Sequence, residues 1–147
     1  MLREFKTVLC PTDFSAESYR ALEYGARFAT AAGGSLLIAH ILHNPTTKEF
    51  HPEGYVLSFE QAKTRAQAQL EEIRAQRVGG TVKCDLFVDI GDPYEKLLSL
   101  ATQRQVDLVV ISTHGRSALE HLVMGSVAEK IIRHAPCPVL VVRRGTE

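Results

Sequence analysis

The sequence predicts an α/β fold: a doubly wound, mostly parallel five-stranded sheet with helices on both faces. Three observations predict it. Short apolar runs alternate with stretches of helical periodicity along the whole chain. One of those runs, Ser35 to Leu42 (SLLIAHIL), is apolar nearly throughout, as a strand covered on both faces is, and another, Val106 to Ser112 (VDLVVIS), is strongly strand-like. Successive strands separated by helices imply parallel pairing through right-handed crossovers.

The elements follow in order. Phe5 to Cys10 (FKTVLC) is a short apolar run ended by Pro11, and Ala16 to Ala32 then carries Tyr19, Leu22, Ala26 and Ala29 on one helical stripe. Gly33-Gly34 stops that helix, and the second strand runs from Ser35 to Leu42. His43 to Leu57 contains Asn44-Pro45, Pro52 and Gly54 and reads as a loop, after which Ser58 caps a helix with Gln61 three residues on. That helix places Phe59, Ala62, Ala66, Leu70 and Ile73 on one face and ends near Gly79-Gly80. Val82 to Val88 alternates in polarity, which suits a strand near the sheet edge. Gly91-Asp92-Pro93 with Glu95 signals a helix start, with Leu97, Leu98 and Ala101 turned inward. The fourth strand, Val106 to Ser112, is the most strand-like run in the chain. After it the pattern allows a short helix from Ser117 to Met124, a helix capped by Ser126, and a last strand from Val139 to Val142 behind Pro136 and Pro138.

At 147 residues the chain has the length of one ordinary domain, so residues 1–147 are expected to form one unit. Lysine plus arginine equals aspartate plus glutamate at 17 each, which gives no global field for nucleic acid or an anionic membrane. Met1 to Cys10 carries Arg3, Glu4 and Lys6 and resembles neither a signal peptide nor a membrane span; a cytoplasmic protein is the simplest reading. Cys10, Cys84 and Cys137 are odd in number and far apart, against a disulfide framework or thiolate metal site.

In open parallel sheets ligands bind outside the carboxyl ends of the strands, where the strand order reverses. Two loops at such ends carry candidate chemistry: Pro11-Thr12-Asp13 after the first strand and Ser112 to Gly115 after the fourth. They form two walls of one crevice if those strands are neighbours, an adjacency the sequence does not prove. Gly115 can turn backbone N–H groups toward an anion, Gly125 allows close approach beside a helix, and Ser126, Val127 and Ala128 offer donors at the helix's positive end. The same residues also serve a plain connector between strand and helix. No Gly-Lys-Ser/Thr of a P-loop follows, and no G-x-G-x-x-G is present. Asp13 suits either a hydroxyl or amino partner on a ligand or the cap of the first helix.

"VLCPTDFS" (Val8 to Ser15), "LLIAHIL" (Leu36 to Leu42), "GDP" (Gly91 to Pro93), "ISTHGRS" (Ile111 to Ser117) and "GSVAEKIIRHAPCPVLVVR" (Gly125 to Arg143) together resemble the universal stress protein family over essentially the whole chain. That resemblance implies the Rossmann-like, adenine nucleotide alpha hydrolase-like variety of the fold. In the family's nucleotide-binding branch the fourth strand is followed by G-x-x-G-x9-G-[ST]; here Ser112 stands at the first glycine, while Gly115, Gly125 and Ser126 match. Serine adds a side chain close to the implied ribose or phosphate, and at a positive φ it would cost roughly 1 kcal/mol.

The resemblance implies that Pro11, Thr12 and Asp13, with the backbone of Ile41, form the adenine and ribose end. It puts Ser112, Thr113, His114, Gly115, Arg116 and Ser117 around ribose and α-phosphate, and Gly125, Ser126 and Val127 on the β- and γ-phosphates. The ligand implied is ATP, or ADP or AMP, with any Mg²⁺ held chiefly by phosphates rather than by protein side chains. Arg116 is placed to pair with a phosphate, whereas Lys130 and Arg133 read as complements to the carboxyl end of the last helix. His114 offers its main-chain amide, since no partner orients its ring for catalysis. His40, His43 and His51 read as core or surface histidines rather than as a metal site.

The function implied is a nucleotide-dependent stress-response or regulatory module, with at most slow hydrolysis because no dedicated base or arginine finger can be named. A homodimer through the strand Val139 to Val142 is also implied, and a short apolar edge strand invites such pairing. Two other classes stand beside it: a dimeric interaction protein of the same fold that binds no nucleotide, and a redox enzyme using Cys10.

Overall fold

The computed structural model describes residues 4–43, 52–113 and 124–143, with residues 52–58 described by their backbone. Its elements are β1 (Thr7–Pro11), α1 (Ala16–Ala31), β2 (Ser35–Leu42), α2 (Pro52–Ile73), β3 (Lys83–Ile90), α3 (Pro93–Gln103), β4 (Leu108–Ser112), α4 (Ser126–His134) and β5 (Val139–Val142). The five strands form one sheet in the order β3-β2-β1-β4-β5, and every pairing is parallel. This is the doubly wound α/β architecture that the alternation predicts.

The period of two along each strand explains the two layers of core. Val8, Cys10, Leu36, Ile38 and Val110 face one side, where they pack with Ala21, Leu22 and Ala26 of α1 and Leu70 and Ile73 of α2. Leu9, Leu37, Ala39, Ile41, Val109 and Ile111 face the other, against Leu97, Leu100 and Ala101 of α3 and Ala128 and Ile131 of α4. Central strands therefore bury both faces, which is why their sequences show no polar alternation. β3 lies at one end of the strand order, as its alternating sequence predicts.

Local chemistry sets the helix boundaries. Ser15 caps α1, its hydroxyl accepting from Ser18 N–H at 3.2 Å. Asp92 caps α3 by accepting from Glu95 N–H at 3.0 Å, with Pro93 in the first turn where its missing N–H is not needed. Two expectations are corrected. α2 begins at Pro52 rather than at Ser58, so part of the predicted His43 to Leu57 loop is helical. Pro52 is tolerated in a first turn, and the single Gly54 costs a helix only about 1 kcal/mol. The expected loop residues 44–51 lie outside the described residues. At its other end α2 runs into one wider π-helical turn, Arg74–Val78, which Gly79 terminates at φ 71°.

The second correction concerns α4. Its N-cap is Gly125, whose carbonyl accepts from Glu129 N–H at 3.0 Å, and Ser126 is the first helical residue rather than the cap. The expected short helix from Ser117 lies outside the described residues up to Met124, which is not helical. β1 begins at Thr7 and β4 at Leu108, each two residues later than predicted by the apolar runs Phe5 to Cys10 and Val106 to Ser112. The buried Asp107 explains the offset: its Oδ2 accepts from the amides of Lys6 and Thr7 at 3.2 and 2.9 Å, tying the amino ends of both strands together.

Candidate functional site

β1 and β4 are neighbours, and the strand order reverses between them. The turn after β1 and the end of β4 therefore lie side by side at the carboxyl edge of the sheet, where folds of this kind place their crevice. Their pairing runs through Val8↔Leu108 and Leu9↔Val109, while β1 continues to Pro11 and β4 to Ser112. Thr7 O accepts from Asp107 N–H on the β4 side and Thr12 N–H donates to Ala39 O on the β2 side, so by alternation Pro11 faces β4. Proline has no N–H to extend that ladder, and the carboxyl ends part there. On β2 the odd-numbered residues turn toward β1, as Ser35 N–H to Lys6 O and Ala39 O from Thr12 N–H show. The main chain of Ile41 thus faces the space past Pro11, where β1 has turned away; its side chain is buried in the core.

The Pro11-Thr12-Asp13 turn is built from within. Thr12 is buried; its Oγ1 lies 2.8 Å from Ser18 Oγ and accepts from Phe14 N–H at 3.0 Å. Ser18 gives its hydroxyl proton to Ser15 O at 2.8 Å, so the proton between the two hydroxyls is that of Thr12. The hydroxyl of Thr12 serves the turn. Asp13 is half-buried, and its Oδ1 accepts from Ser15 N–H at 3.0 Å. It does not cap α1, because Ser15 does. Phe14 adopts φ 65°, a left-handed conformation rare outside glycine, in the residue next to Asp13.

The opposite wall joins both ends of the sequence motif. Ser112 ends β4 beside Val142, and Thr113 continues it by donating its N–H to Val142 O at 3.2 Å. Gly125 N–H then donates to Thr113 O at 2.8 Å, which seats the amino end of α4 directly against the carboxyl end of β4. The amides of Ser126, Val127 and Ala128 lie in the first turn of α4, where helix N–H groups lack intrahelical acceptors. Ser126 is exposed and Val127 half-buried against the second core layer. Ser112 lies in the extended strand and Phe14 and Gln105 are the positive-φ non-glycines among the described residues, so the penalty anticipated for serine in place of glycine does not arise. Gly125 sits at φ −58°, and a Cβ there would meet Thr113 O at an ordinary 3.6 Å. The described fold therefore does not require glycine at this position. His114, Gly115, Arg116 and Ser117 lie outside the described residues.

Sequence reasoning missed one contributor. His40, expected as a core or surface residue, lies 2.7 Å from Thr12 O through its Nδ1 and stacks obliquely on Phe14, ring centroids 4.3 Å apart. A lone histidine in an otherwise apolar strand was the available signal. Of the two cations expected at the carboxyl end of α4, Arg133 is in the last turn, paired with Glu129 at 3.0 Å, whereas Lys130 lies over the Tyr94 ring of α3 at 5.4 Å. Cys10 is 1% exposed, and burial, with Cys84 nearby, raises its thiol far above the ordinary value. Burial lifts Cys84 to about 11 despite Arg74 beside it. Thiolate is scarce at both, against redox chemistry at Cys10. Among the described residues no group of three or more His, Cys, Asp or Glu could hold a metal ion, and no helix is long and apolar enough to cross a membrane.

An all-parallel sheet whose order reverses between a carboxylate-bearing turn and the amino end of a helix defines a Rossmann-like α/β protein with its crevice at the switch point. The sequence model of the universal stress protein family matches residues 4–143, and the chain belongs to that family. It is 29% identical to universal stress protein MJ0577 of Methanocaldococcus jannaschii, over 95% of this chain and 96% of that protein. It is 34% identical to a universal stress protein of Thermus aquaticus, over 95% and 99% of the two chains. The solved structure of MJ0577 superposes with a TM-score of 0.85 at 26% identity, covering 99% of this chain and 100% of the other. A universal stress protein solved in complex with cAMP shares the fold at a TM-score of 0.63 and 23% identity, over 96% and 98% of the chains.

Proposed function

We propose that this chain binds an adenine nucleotide, ATP or in its place ADP or AMP, in the crevice between the loops after β1 and β4. In this reading it acts as a nucleotide-dependent stress-response or regulatory protein of the cytoplasm. The observation that carries the reading is the 2.8 Å bond from Gly125 N–H to Thr113 O, which brings the amino end of α4 to the carboxyl end of β4, the strand next to β1 at the strand-order reversal. Phosphates belong at the helix end, where amides and the helix dipole favour anions. Asp13 belongs at the other end, as an acceptor for a ribose hydroxyl or the adenine amino group, because a carboxylate beside phosphates would be repelled. The main chain of Ile41 lines the adenine side, and Pro11 and Thr12 set the turn. Ser112 to Ser117 enclose ribose and α-phosphate, and Gly125, Ser126 and Val127 hold the terminal phosphates. A family member in complex with cAMP supports an adenine nucleotide as the ligand class.

The residues present fit such a ligand, since glycine at 125 leaves free the space a side chain would fill beside the phosphates. Mg²⁺ would be carried by the phosphates, whose charge it would neutralise. In this reading the nucleotide serves as a signal rather than as a substrate for rapid turnover. The proposed assembly is a homodimer through β5, through which nucleotide state reaches protein partners.

Isothermal titration of nucleotide-free protein with ATP and Mg²⁺ tests the reading. Saturable binding is expected, and Gly125→Val should abolish it with the fold intact. A folded wild type that binds no adenine nucleotide would overturn the reading in favour of an interaction protein, and unchanged affinity in Gly125→Val would remove the phosphates from the amino end of α4.

A further inference from the structure

We infer that His40 is a positioning residue of this crevice: its Nδ1–H holds the Thr12 carbonyl and thereby fixes the turn that presents Asp13. The inference rests on the adenine-nucleotide reading and assigns a role to a residue on β2, outside both loops of the crevice. A carbonyl oxygen can only accept, so at 2.7 Å the proton must be on Nδ1 and the tautomer is set. Thr12 is then gripped by two successive residues of β2, its N–H by Ala39 O at 2.8 Å and its carbonyl by His40.

The residue on the other side of Asp13 is held as well. Phe14 packs its ring against the imidazole with centroids 4.3 Å apart, and it carries φ 65°, a conformation that neighbours must hold in place. Both sequence neighbours of Asp13 thus touch one side chain. Without the His40 donor the Thr12 carbonyl loses its hold on β2, and the Asp13 carboxylate, which Ser15 N–H holds locally, is placed less firmly for recognition of a sugar hydroxyl or an amino group.

The donor and the ring can be separated by substitution. His40→Asn keeps an N–H at the distance of Nδ1 from Cβ and loses the ring; His40→Phe keeps a ring and loses the donor. Titration with ATP should find His40→Asn within about threefold of wild type and His40→Phe weaker by about tenfold, the scale of one hydrogen bond, with both variants melting near wild type. Wild-type affinity in His40→Phe, or equal loss in the two variants, overturns the inference alone. A wild type that binds no ATP overturns the nucleotide reading and this inference with it. The ring nitrogen resonances of ¹⁵N-labelled wild type without nucleotide give a second test that needs no variant to fold. The Nδ1–H tautomer is expected, and the Nε2–H tautomer would exclude the bond on which the inference stands.

Discussion

At the scale of single residues, the wall of the crevice and the core beneath it meet different demands. Among the described residues nothing fills the room that Gly125 leaves, whereas the room that Gly25 leaves is filled by its neighbours. A Cβ on Gly25 would clash with Cys10 Sγ, and Leu36 and Val8 stand at 3.5 and 3.6 Å. Here α1 lies against β1 so closely that the sulfur takes the place of a side chain. Gly25→Ala should therefore destabilise the protein by about 1–3 kcal/mol, as overpacking of a closed core does. Urea unfolding measures it, and a stability within 0.5 kcal/mol of wild type, about the spread of surface substitutions, would show that α1 can shift outward without penalty. The paired variant Gly25→Ala with Cys10→Ala should recover most of the loss, because the clash is with the sulfur.

At the scale of elements, the junction of β3 and α3 carries a pH dependence. Partial burial opposes ionisation of Asp89, yet Ile90 N–H at 2.8 Å and the Lys96 ammonium at 3.2 Å hold its carboxyl below the ordinary value. A carboxyl depressed in the folded state contributes stability that is complete above the unfolded value of about 4. That contribution is lost as pH falls through the lower folded value. Both partners are about two-fifths exposed, so solvent screening limits it to less than about 1 kcal/mol. Asp89→Asn should narrow the loss of stability between pH 5 and 3, read from urea midpoints across that range. A variant whose pH profile overlays that of wild type would show the pair to be neutral.

At the scale of the whole molecule, β5 is the outer strand beyond β4, and its backbone direction can be read from its neighbours. Pro138 O accepts from Val109 N–H and Val142 O from Thr113 N–H, so even-numbered residues turn toward β4 while Val139 and Val141 turn outward. An outward N–H is one that a second copy would pair with. Val141→Pro removes such a donor and leaves the β4 ladder intact, a substitution edge strands tolerate. Wild type should sediment as a dimer and Val141→Pro as a folded monomer; a dimeric variant would place the interface on another surface.

Much of this was legible in one dimension. Strand and helix alternation, the core stripes of α1 and α2, the Asp92-Pro93 start of α3 and the edge character of β3 follow from periodicity and capping, which depend on residues a few positions apart. The turn after β1, Pro11 to Asp13, and the end of β4 at Ser112 were legible as candidates because each follows a short apolar run, whereas residues 114–123 lie outside the described residues. What sequence reasoning misplaced were boundaries, such as the start of α2 at Pro52 and the cap of α4 at Gly125, because local signals at Ser58 and Ser126 are as good as those the fold uses. By itself the sequence determined a parallel α/β sheet and the family to which the chain belongs. Only the tertiary structure decided that β1 and β4 are neighbours, that Thr113 receives Gly125, that Thr12 turns its hydroxyl inward and that His40 grips the turn. Apart from the Thr12 hydroxyl, whose partners Phe14 and Ser18 are near in sequence, these are contacts between residues far apart in the chain, and they depend on which strands pair and in what register, which no local pattern encodes.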